Sequence, residues 1–89
     1  MKSTGTAQFW RLYQQLSPEI QLAARRAYKR FLENPAHPSL RLERLRSHPR
    51  GWSVRVTRNY RAVALRLPGE VWIWDWIGDH ADFDREYPR

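Results

Sequence analysis

Two arginines and a histidine in the second half of the chain have side chains suited to work on a charged oxygen: Arg55, Arg61 and His80. A guanidinium group stays charged under physiological conditions and presents a planar fork to phosphate or carboxylate. An imidazole can accept or release a proton near neutral pH. Asp84 follows His80 by about one helical turn, so its carboxylate can orient the imidazole. Together these residue types suit the binding of a polyanion and the transfer of a proton.

The stretch from Gly51 to His80 must position these side chains, and its pattern predicts an antiparallel meander. Three β-rich runs are separated by two tight turn signals, Arg58-Asn59 and Pro68-Gly69. Side chains alternate between the two faces of a strand, so each residue can be assigned to a face. In the last run this alternation places Trp72, Trp74 and Trp76 on one face. Such a stripe is typical of a core beneath helices, and a base-stacking surface is the alternative.

Two upstream helices are predicted to form the layer that covers the sheet. From Thr6 to Leu16 the apolar residues recur with helical spacing. Ser17-Pro18-Glu19 is a start signal for a second helix, from Pro18 to Asn34. Leu40 to Arg46 is expected to add an edge strand. The predicted fold class is therefore α+β, with an N-terminal helical hairpin packed on a three- to four-stranded antiparallel sheet.

The size and composition of the chain limit its domain organisation and chemistry. Its 89 residues suit a single domain, 1–89, with residues 1–5 frayed and residues 81–89 forming a polar tail. The absence of cysteine excludes a disulfide framework, a thiolate zinc site and a cysteine nucleophile. No three metal-type ligands converge in the sequence, so neither a metal nor another cofactor is expected. Because no signal segment or membrane-length apolar run is evident, we expect a soluble cytoplasmic protein.

The charge of the chain is strongly basic and indicates a polyanionic partner. Sixteen Lys and Arg residues stand against nine Asp and Glu, a net charge of +7. Either nucleic acid or an acidic protein segment fits this charge, and a merely soluble basic surface is the third interpretation. The candidate contacts to RNA phosphates are Arg58 in the first turn and, on the second helix, Arg25, Arg26 and Lys29. The helix face is equally consistent with an ordinary solvated surface.

The order of these segments resembles the RelE/ParE toxin superfamily, the small basic toxins of bacterial type II toxin–antitoxin modules. The likeness extends over roughly residues 9 to 84. It is carried by the order and spacing of four motifs: Asn34-Pro35-Ala36-His37-Pro38-Ser39-Leu40, Trp52-Ser53-Val54-Arg55-Val56, Tyr60-Arg61-Ala62 and Ile77-Gly78-Asp79-His80. The resemblance implies two helices packed on an antiparallel sheet, as the sequence pattern also predicts.

The resemblance implies a metal-independent endoribonuclease that cleaves mRNA on the ribosome. Arg61, Arg55 and His80 match positions where ribonuclease members carry site residues, and Asp84 is added as the partner of His80. We expect the two guanidinium groups to stabilise a phosphorane-like state and the imidazole to transfer protons, in one shared hollow. The expected partners are an acidic antitoxin, mRNA and the ribosome, and no membrane.

The sequence departs from the family pattern in two places, and two other functions remain open. The N-terminal strand of many members is not evident, and some members have a site tyrosine near the end, where this chain has Phe83 and then Tyr87. Whether Tyr87 replaces that tyrosine stays open. The alternatives are a non-enzymatic ParE-like toxin that inhibits DNA gyrase, and a non-toxic basic module that binds RNA or an antitoxin. Each site residue also has a non-catalytic interpretation: Arg61 forms an ion pair with Asp75, and His80 has a structural role.

Overall fold

In the computed structural model, which describes residues 1–88, a five-stranded sheet is covered by helices on both faces. The strand order is β1-β5-β4-β3-β2. The elements in chain order are β1 (Lys2–Gly5), α1 (Ala7–Gln14), α2 (Pro18–Glu33), a 3-10 turn (Pro38–Leu40), β2 (Glu43–Arg44), β3 (Gly51–Thr57), β4 (Tyr60–Leu67), β5 (Val71–Asp79) and α3 (His80–Glu86). None of the helices within residues 1–88 has the length and apolarity needed to cross a membrane.

The helical hairpin and the meander are present, which confirms the predicted fold class. The Thr6 hydroxyl accepts a hydrogen bond from the Phe9 amide at the start of α1, and the Ser17 hydroxyl does the same for Ile20 at the start of α2. Strands β3, β4 and β5 pair antiparallel in sequence order. The predicted edge strand is much shorter than Leu40 to Arg46, because only Glu43–Arg44 pair with β3.

Residues 2–5 form a strand, where a frayed end was expected. β1 pairs parallel with β5, and its position is secured by the Trp74 indole, which donates to the Ser3 hydroxyl over 2.9 Å. The Thr6 amide continues the contact by donating to the carbonyl of Trp74. The segment is short and polar, so nothing in its own pattern distinguishes it from a loop. Its partner strand lies at the far end of the chain and supplies the pairing.

The C-terminal residues also differ from prediction, because they form a packed helix where a polar tail was expected. The Asp79 carboxylate caps α3 by accepting from the Asp82 amide over 2.8 Å. Phe83 is buried beneath the helix. One apolar residue per turn is enough to dock a helix of this length, although it is too little to produce a recognisable apolar stripe. Arg89 lies outside the described residues.

The sheet has a separate apolar core on each face. The larger core lies under α1 and α2 and includes Phe31, Val54, Ala62, Trp72 and Trp74. The smaller core lies under α3 and joins Leu45, Val63, Trp76 and Phe83. We call these two sides of the sheet the α1/α2 face and the α3 face.

The tryptophan stripe is divided between the two faces, which corrects the assignment of all three rings to one face. Trp74 is opposite Ala64, while Trp76 is opposite Val63, so Asp75 is an extra residue in β5. Such a bulge moves every later side chain of the strand to the other face. Thr6 donates a hydrogen bond to the Asp75 carboxylate, and Gln8 donates to the Asp75 carbonyl. The start of α1 therefore holds the bulge in place.

Candidate functional site

Arg55 and Arg61 are cross-strand partners on the α3 face. Arg55 on β3 is opposite Arg61 on β4 in the antiparallel register, and Arg61 is in turn opposite Gly78 on β5. Because the neighbouring Ala62 belongs to the core of the α1/α2 face, the Arg61 side chain lies on the other side. Like charges directly opposite each other destabilise a sheet unless something neutralises them. The register therefore places two cationic residues opposite each other on the α3 face.

A bulge in β3 creates this pairing. The closing pair of the turn is Thr57 with Tyr60, and the next pair is Arg55 with Arg61, so Val56 is an extra residue. Without the bulge, a regular ladder would place Arg61 opposite Val56 and Arg55 opposite Ala62, on different faces. One inserted residue therefore places the two arginines opposite each other on the same face of the sheet.

The half-buried Arg61 side chain is held by the turn that precedes it. Its Nη1 atom donates to the carbonyl oxygens of Thr57 over 3.1 Å and Tyr60 over 3.3 Å. A carbonyl oxygen has two lone pairs, so it can accept from a side chain in addition to the backbone ladder. These contacts restrict the guanidinium group before any ligand arrives, which is the condition for electrostatic preorganisation.

His80 begins α3 at the same end of the α3 face. It follows Gly78, the cross-strand partner of Arg61, by two residues, and its amide donates to the Asn59 carbonyl over 2.6 Å. The His80 Nε2 atom lies 3.6 Å from Oδ2 of Asp84, an ion-pair distance when the imidazole is protonated. The imidazole is about half exposed and lies parallel to the Phe83 ring. It can therefore reach a ligand while Asp84 and Phe83 limit its orientation.

The turn from Thr57 to Tyr60 thus contacts both Arg61 and the backbone of His80, a role that the sequence pattern alone does not predict. The Thr57 hydroxyl accepts from the Asn59 amide over 3.2 Å and stabilises the turn. The available signal was the Thr-Arg-Asn sequence itself, because Thr and Asn favour such local side-chain to backbone bonds.

Replacement of Thr57 by Val is expected to lower the free energy of unfolding by about 1 kcal/mol, the usual contribution of one neutral hydrogen bond. Valine keeps the shape and the β-branching but removes the acceptor for the Asn59 amide. Urea denaturation followed by tryptophan fluorescence measures the change. Thr57→Ser keeps the hydroxyl and should stay close to the original protein. Equal losses in the two variants would show that the hydroxyl is not what stabilises the turn.

Gly78 allows an indole ring to lie against the strand beside Arg61. A Cβ atom at this position would come within 2.8 Å of two atoms of the Trp76 ring, closer than such atoms approach. Trp76 in turn packs edge to face against Tyr87 and contacts Phe83. The α3 core therefore forms one wall of the site, next to the residue pair of Arg61 and Gly78.

Tyr87 packs at the end of α3 as part of this wall. Burial raises the pKa of its phenol to about 12, and the negative charges of Asp75 and Glu86 act in the same direction. The phenol therefore keeps its proton at neutral pH, where it can donate a hydrogen bond but cannot serve as a general base. The role that the resemblance left open for Tyr87 is limited to that of a donor or a packing residue.

The raised pKa of Tyr87 predicts a loss of stability at high pH. An unfolded tyrosine loses its proton near pH ~10, while the folded phenol keeps its proton until about pH 12. Between these values the folded state binds more protons, so the free energy of unfolding falls as the pH rises. Tyr87→Phe should reduce this fall, measured by urea denaturation at several pH values between 9 and 12. An unchanged slope in Tyr87→Phe would contradict the raised pKa of the Tyr87 phenol.

The basic residues proposed as RNA contacts are divided between different parts of the molecule. Arg58 is exposed in the β3–β4 turn, next to Arg61 and His80. Arg25, Arg26 and Lys29 are exposed on α2, which packs on the α1/α2 face. The structure therefore brings Arg58 to the candidate site and keeps the three α2 residues away from it.

A groove separates α1 from α2 on the opposite side of the molecule. Its volume is about 450 Å³, and its walls are largely apolar, with Arg25 also lining it. The ring-bearing residues that line it are Phe9, Trp10, Tyr13, Tyr28, Phe31 and Trp74. Trp10 and Tyr28 are exposed. Within residues 1–88, no group of three His, Asp or Glu side chains converges to hold a metal ion.

Comparisons with known proteins connect this architecture to toxins. A family model described as a ParE-like toxin domain matches residues 18–85. The YoeB/ParE toxin from Agrobacterium tumefaciens is 20% identical, with a TM-score of 0.72 covering 90% of this chain and 99% of that one. A chain of the RelB-RelE antitoxin–toxin complex from Methanococcus jannaschii is 13% identical, with a TM-score of 0.70. This match covers 96% of this chain and 99% of that one. YafQ from E. coli strain BL21(DE3) is 11% identical, with a TM-score of 0.75; the match covers 92% of this chain and 96% of that one.

A search of curated protein sequences finds no match. At these identities the similarity to the solved structures shows a shared fold.

Proposed function

The chain belongs to the ParE-like toxin family, and from that premise we propose that it is the toxin of a type II toxin–antitoxin module that cleaves mRNA on the ribosome. The observation that supports this function best is the pair of opposed arginines, Arg55 and Arg61, with His80 at the same end of the α3 face. Two opposed cations, of which Arg61 is held by the turn carbonyls, at the same end of the face as a proton-transfer group fit a phosphodiester better than a surface that binds protein alone.

In the proposed reaction, the ribose 2′-oxygen attacks the adjacent phosphorus. The new bond from the 2′-oxygen to phosphorus forms as the bond from phosphorus to the 5′-oxygen breaks. The products are a 2′,3′-cyclic phosphate and a free 5′-hydroxyl. Arg61 and Arg55 bind the phosphoryl oxygens, whose negative charge increases in the transition state. The 2′-hydroxyl loses one proton and the leaving 5′-oxygen gains one; the His80 imidazole accepts the first proton and donates a proton to the 5′-oxygen, and Asp84 orients the imidazole.

The enzymatic proposal is tested with purified protein in a translating extract. We expect the mRNA to be cut within the translated region, with new 5′-hydroxyl ends detected by primer extension. The same protein is added in parallel to a DNA gyrase supercoiling assay, because inhibition of gyrase is the alternative for this family. Intact mRNA together with inhibited gyrase would replace the proposal with the gyrase alternative. Intact mRNA and active gyrase at high protein concentration would favour a non-toxic binding module.

The proposed partner is an acidic antitoxin. A structural relative, the Methanococcus jannaschii RelE, is a component of a RelB-RelE antitoxin–toxin complex. The net charge of +7 favours an acidic segment, and the apolar groove between α1 and α2 offers a place for apolar side chains of that segment. Co-expression with the product of the adjacent reading frame tests this proposal. Growth arrest that is relieved by a small acidic neighbour would support it, and arrest that the neighbour leaves unchanged would contradict it.

A further inference from the structure

A second group of arginines surrounds Trp52 on the α1/α2 face, towards the opposite end of β4 from Arg61. The Arg66 guanidinium carbon lies 5.8 Å from the centre of the Trp52 ring and 5.1 Å from the centre of the Trp72 ring. Arg44 on β2 is the register partner of Trp52, and directly opposed residues share a face of the sheet. Trp52 therefore lies between two arginines that belong to different strands.

A third arginine, Arg50, is tied to the other two through the backbone. The Arg50 carbonyl accepts a hydrogen bond from the Arg66 amide over 2.9 Å. Nη2 of Arg44 donates to the carbonyl of Pro49, the residue before Arg50, over 3.1 Å. Arg50 also precedes Trp52 by two residues, so side-chain alternation gives it the same face. We call these residues the Trp52 cluster: Trp52, Trp72, Arg44, Arg50 and Arg66.

The positive charge of the Trp52 cluster is neutralised within the chain at one position. Arg66 forms an ion pair with Glu70. Arg44 and Arg50 take part in none of the ion pairs found among residues 1–88. All three arginine side chains are exposed. Two guanidinium groups of the cluster are therefore available to an anion from outside.

Glu70 shows which kind of anion the Trp52 cluster accepts. Its carboxylate accepts a hydrogen bond from Arg66 over 2.5 Å, and this bond lowers the pKa of Glu70. The nearby Trp72 indole also lowers this pKa, although its buried N–H has no acceptor in hydrogen-bonding geometry among residues 1–88. Glu70 lies in an exposed turn with a φ of 58°, which is uncommon for a residue of this type. A carboxylate from outside can compete with it for the same position.

The composition of the Trp52 cluster favours a protein partner over RNA. Tryptophan and arginine are enriched at the centres of protein interfaces and carry much of their binding energy. Arg66 covers the Trp52 ring, and the Trp72 ring packs against it edge to face. A base-stacking platform needs an open ring face, which these contacts restrict. The bound group that the structure contains is a carboxylate, the anion of an acidic protein segment.

We propose that the Trp52 cluster is a docking site for an acidic protein segment. Carboxylates of the segment pair with Arg44 and Arg50 and compete with Glu70 for Arg66. The proposed function supplies the identity of the segment, the acidic antitoxin, and this inference assigns its charged residues to a surface away from Arg61 and His80.

The first test compares two variants that lose the same charge. One is Arg44→Gln/Arg50→Gln in the Trp52 cluster. The control is Arg11→Gln/Arg85→Gln, exposed positions on α1 and α3. The probe is a fluorescent poly-glutamate peptide, and its dissociation constant is measured by anisotropy. Thermal melts establish that the variants are folded.

The cluster variant should bind the peptide about tenfold more weakly than the original protein, within the usual range for the loss of two exposed charge pairs. The control should lose less than about threefold at ~0.15 M salt, because charges far from the peptide are screened. Equal losses in the two variants, or no binding by the original protein, would overturn the inference.

The second test removes the internal competitor. Glu70→Gln keeps the shape of the side chain and leaves Arg66 without its carboxylate. This variant should bind the peptide about threefold more tightly, the effect of freeing one exposed charge pair. Glu19→Gln is the control, because it changes the net charge equally at the start of α2, whereas the Trp72 ring packs against Phe31 near the end of α2. Equal affinities of the two variants would contradict competition by Glu70.

Further results separate this inference from the proposed function and from RNA binding. The peptide assay contains neither mRNA nor a ribosome, so a cluster-dependent affinity stands even if no form of the protein cleaves mRNA. If a co-expressed acidic neighbour relieves growth arrest by the cluster variant as fully as by the original protein, the antitoxin proposal stands and the docking site fails. A cluster variant that keeps its affinity for the peptide but loses affinity for a single-stranded RNA with 2′-O-methyl groups would assign the surface to RNA and overturn the inference.

Discussion

Arg61→Ala is expected to slow mRNA cleavage by about 10²- to 10³-fold, the usual effect of removing one preorganised donor to a charged transition state. The guanidinium group is held by the carbonyls of Thr57 and Tyr60 and lies opposite Arg55, so water cannot replace it in the same position. The measurement is the rate of appearance of cut mRNA in a translating extract. A loss of less than about fivefold would be too small for such a donor and would remove Arg61 from the proposed chemistry.

The matched control for this prediction is Arg66→Ala. Arg66 lies on the same strand and carries the same charge, but its guanidinium packs over the Trp52 and Trp72 rings on the α1/α2 face and pairs with Glu70. Its loss changes the net charge equally, so similar rates for the two variants would indicate a general effect of charge. Thermal melts are compared because Arg61 is half-buried. A rate loss in Arg61→Ala with an unchanged melting temperature assigns the effect to the site.

Phe83→Ala is expected to lower the free energy of unfolding by about 3–5 kcal/mol, the range for deletion of a buried aromatic side chain. Phe83 is 4% exposed and is the buried residue of α3, in contact with Trp76 and Tyr87. Its removal leaves α3 without its main apolar contact, so we expect the helix to separate from the sheet. Urea denaturation measures the stability, and hydrogen exchange of the amides in residues 83–87 measures the docking of the helix.

Leu32→Ala is the control for Phe83→Ala, because Leu32 is 48% exposed and its truncation creates no cavity. Its stability should stay within about 0.5 kcal/mol of the original protein. A loss below about 1 kcal/mol in Phe83→Ala would mean that α3 contributes little to the α3 core. The same variant should also cleave mRNA more slowly, because His80 and Asp84 are both carried by α3.

Local sequence signals determined the helical hairpin and the three-stranded meander. The start of α2 at Pro18 and the extent of β4 from Tyr60 to Leu67 agree with prediction. Caps, turn residues and alternation act within a few residues, so they can be identified in one stretch of chain. The candidate site residues Arg61 and His80 could be chosen from the sequence because their residue types suit the chemistry and because the short motifs around them resemble the toxin superfamily.

Contacts between distant segments decided the remaining features. β1 exists because β5 pairs with it, and α3 docks because Phe83 meets a core supplied by Leu45, Val63 and Trp76. The bulges at Val56 and Asp75 are extra residues in otherwise regular strands, and alternation alone predicts regular strands. These bulges place Arg55 beside Arg61 and Trp76 beneath α3. The sequence by itself therefore determined which side chains are available for chemistry, whereas the tertiary structure decided which face of the sheet each one occupies, because one inserted residue reverses a face without changing the local pattern.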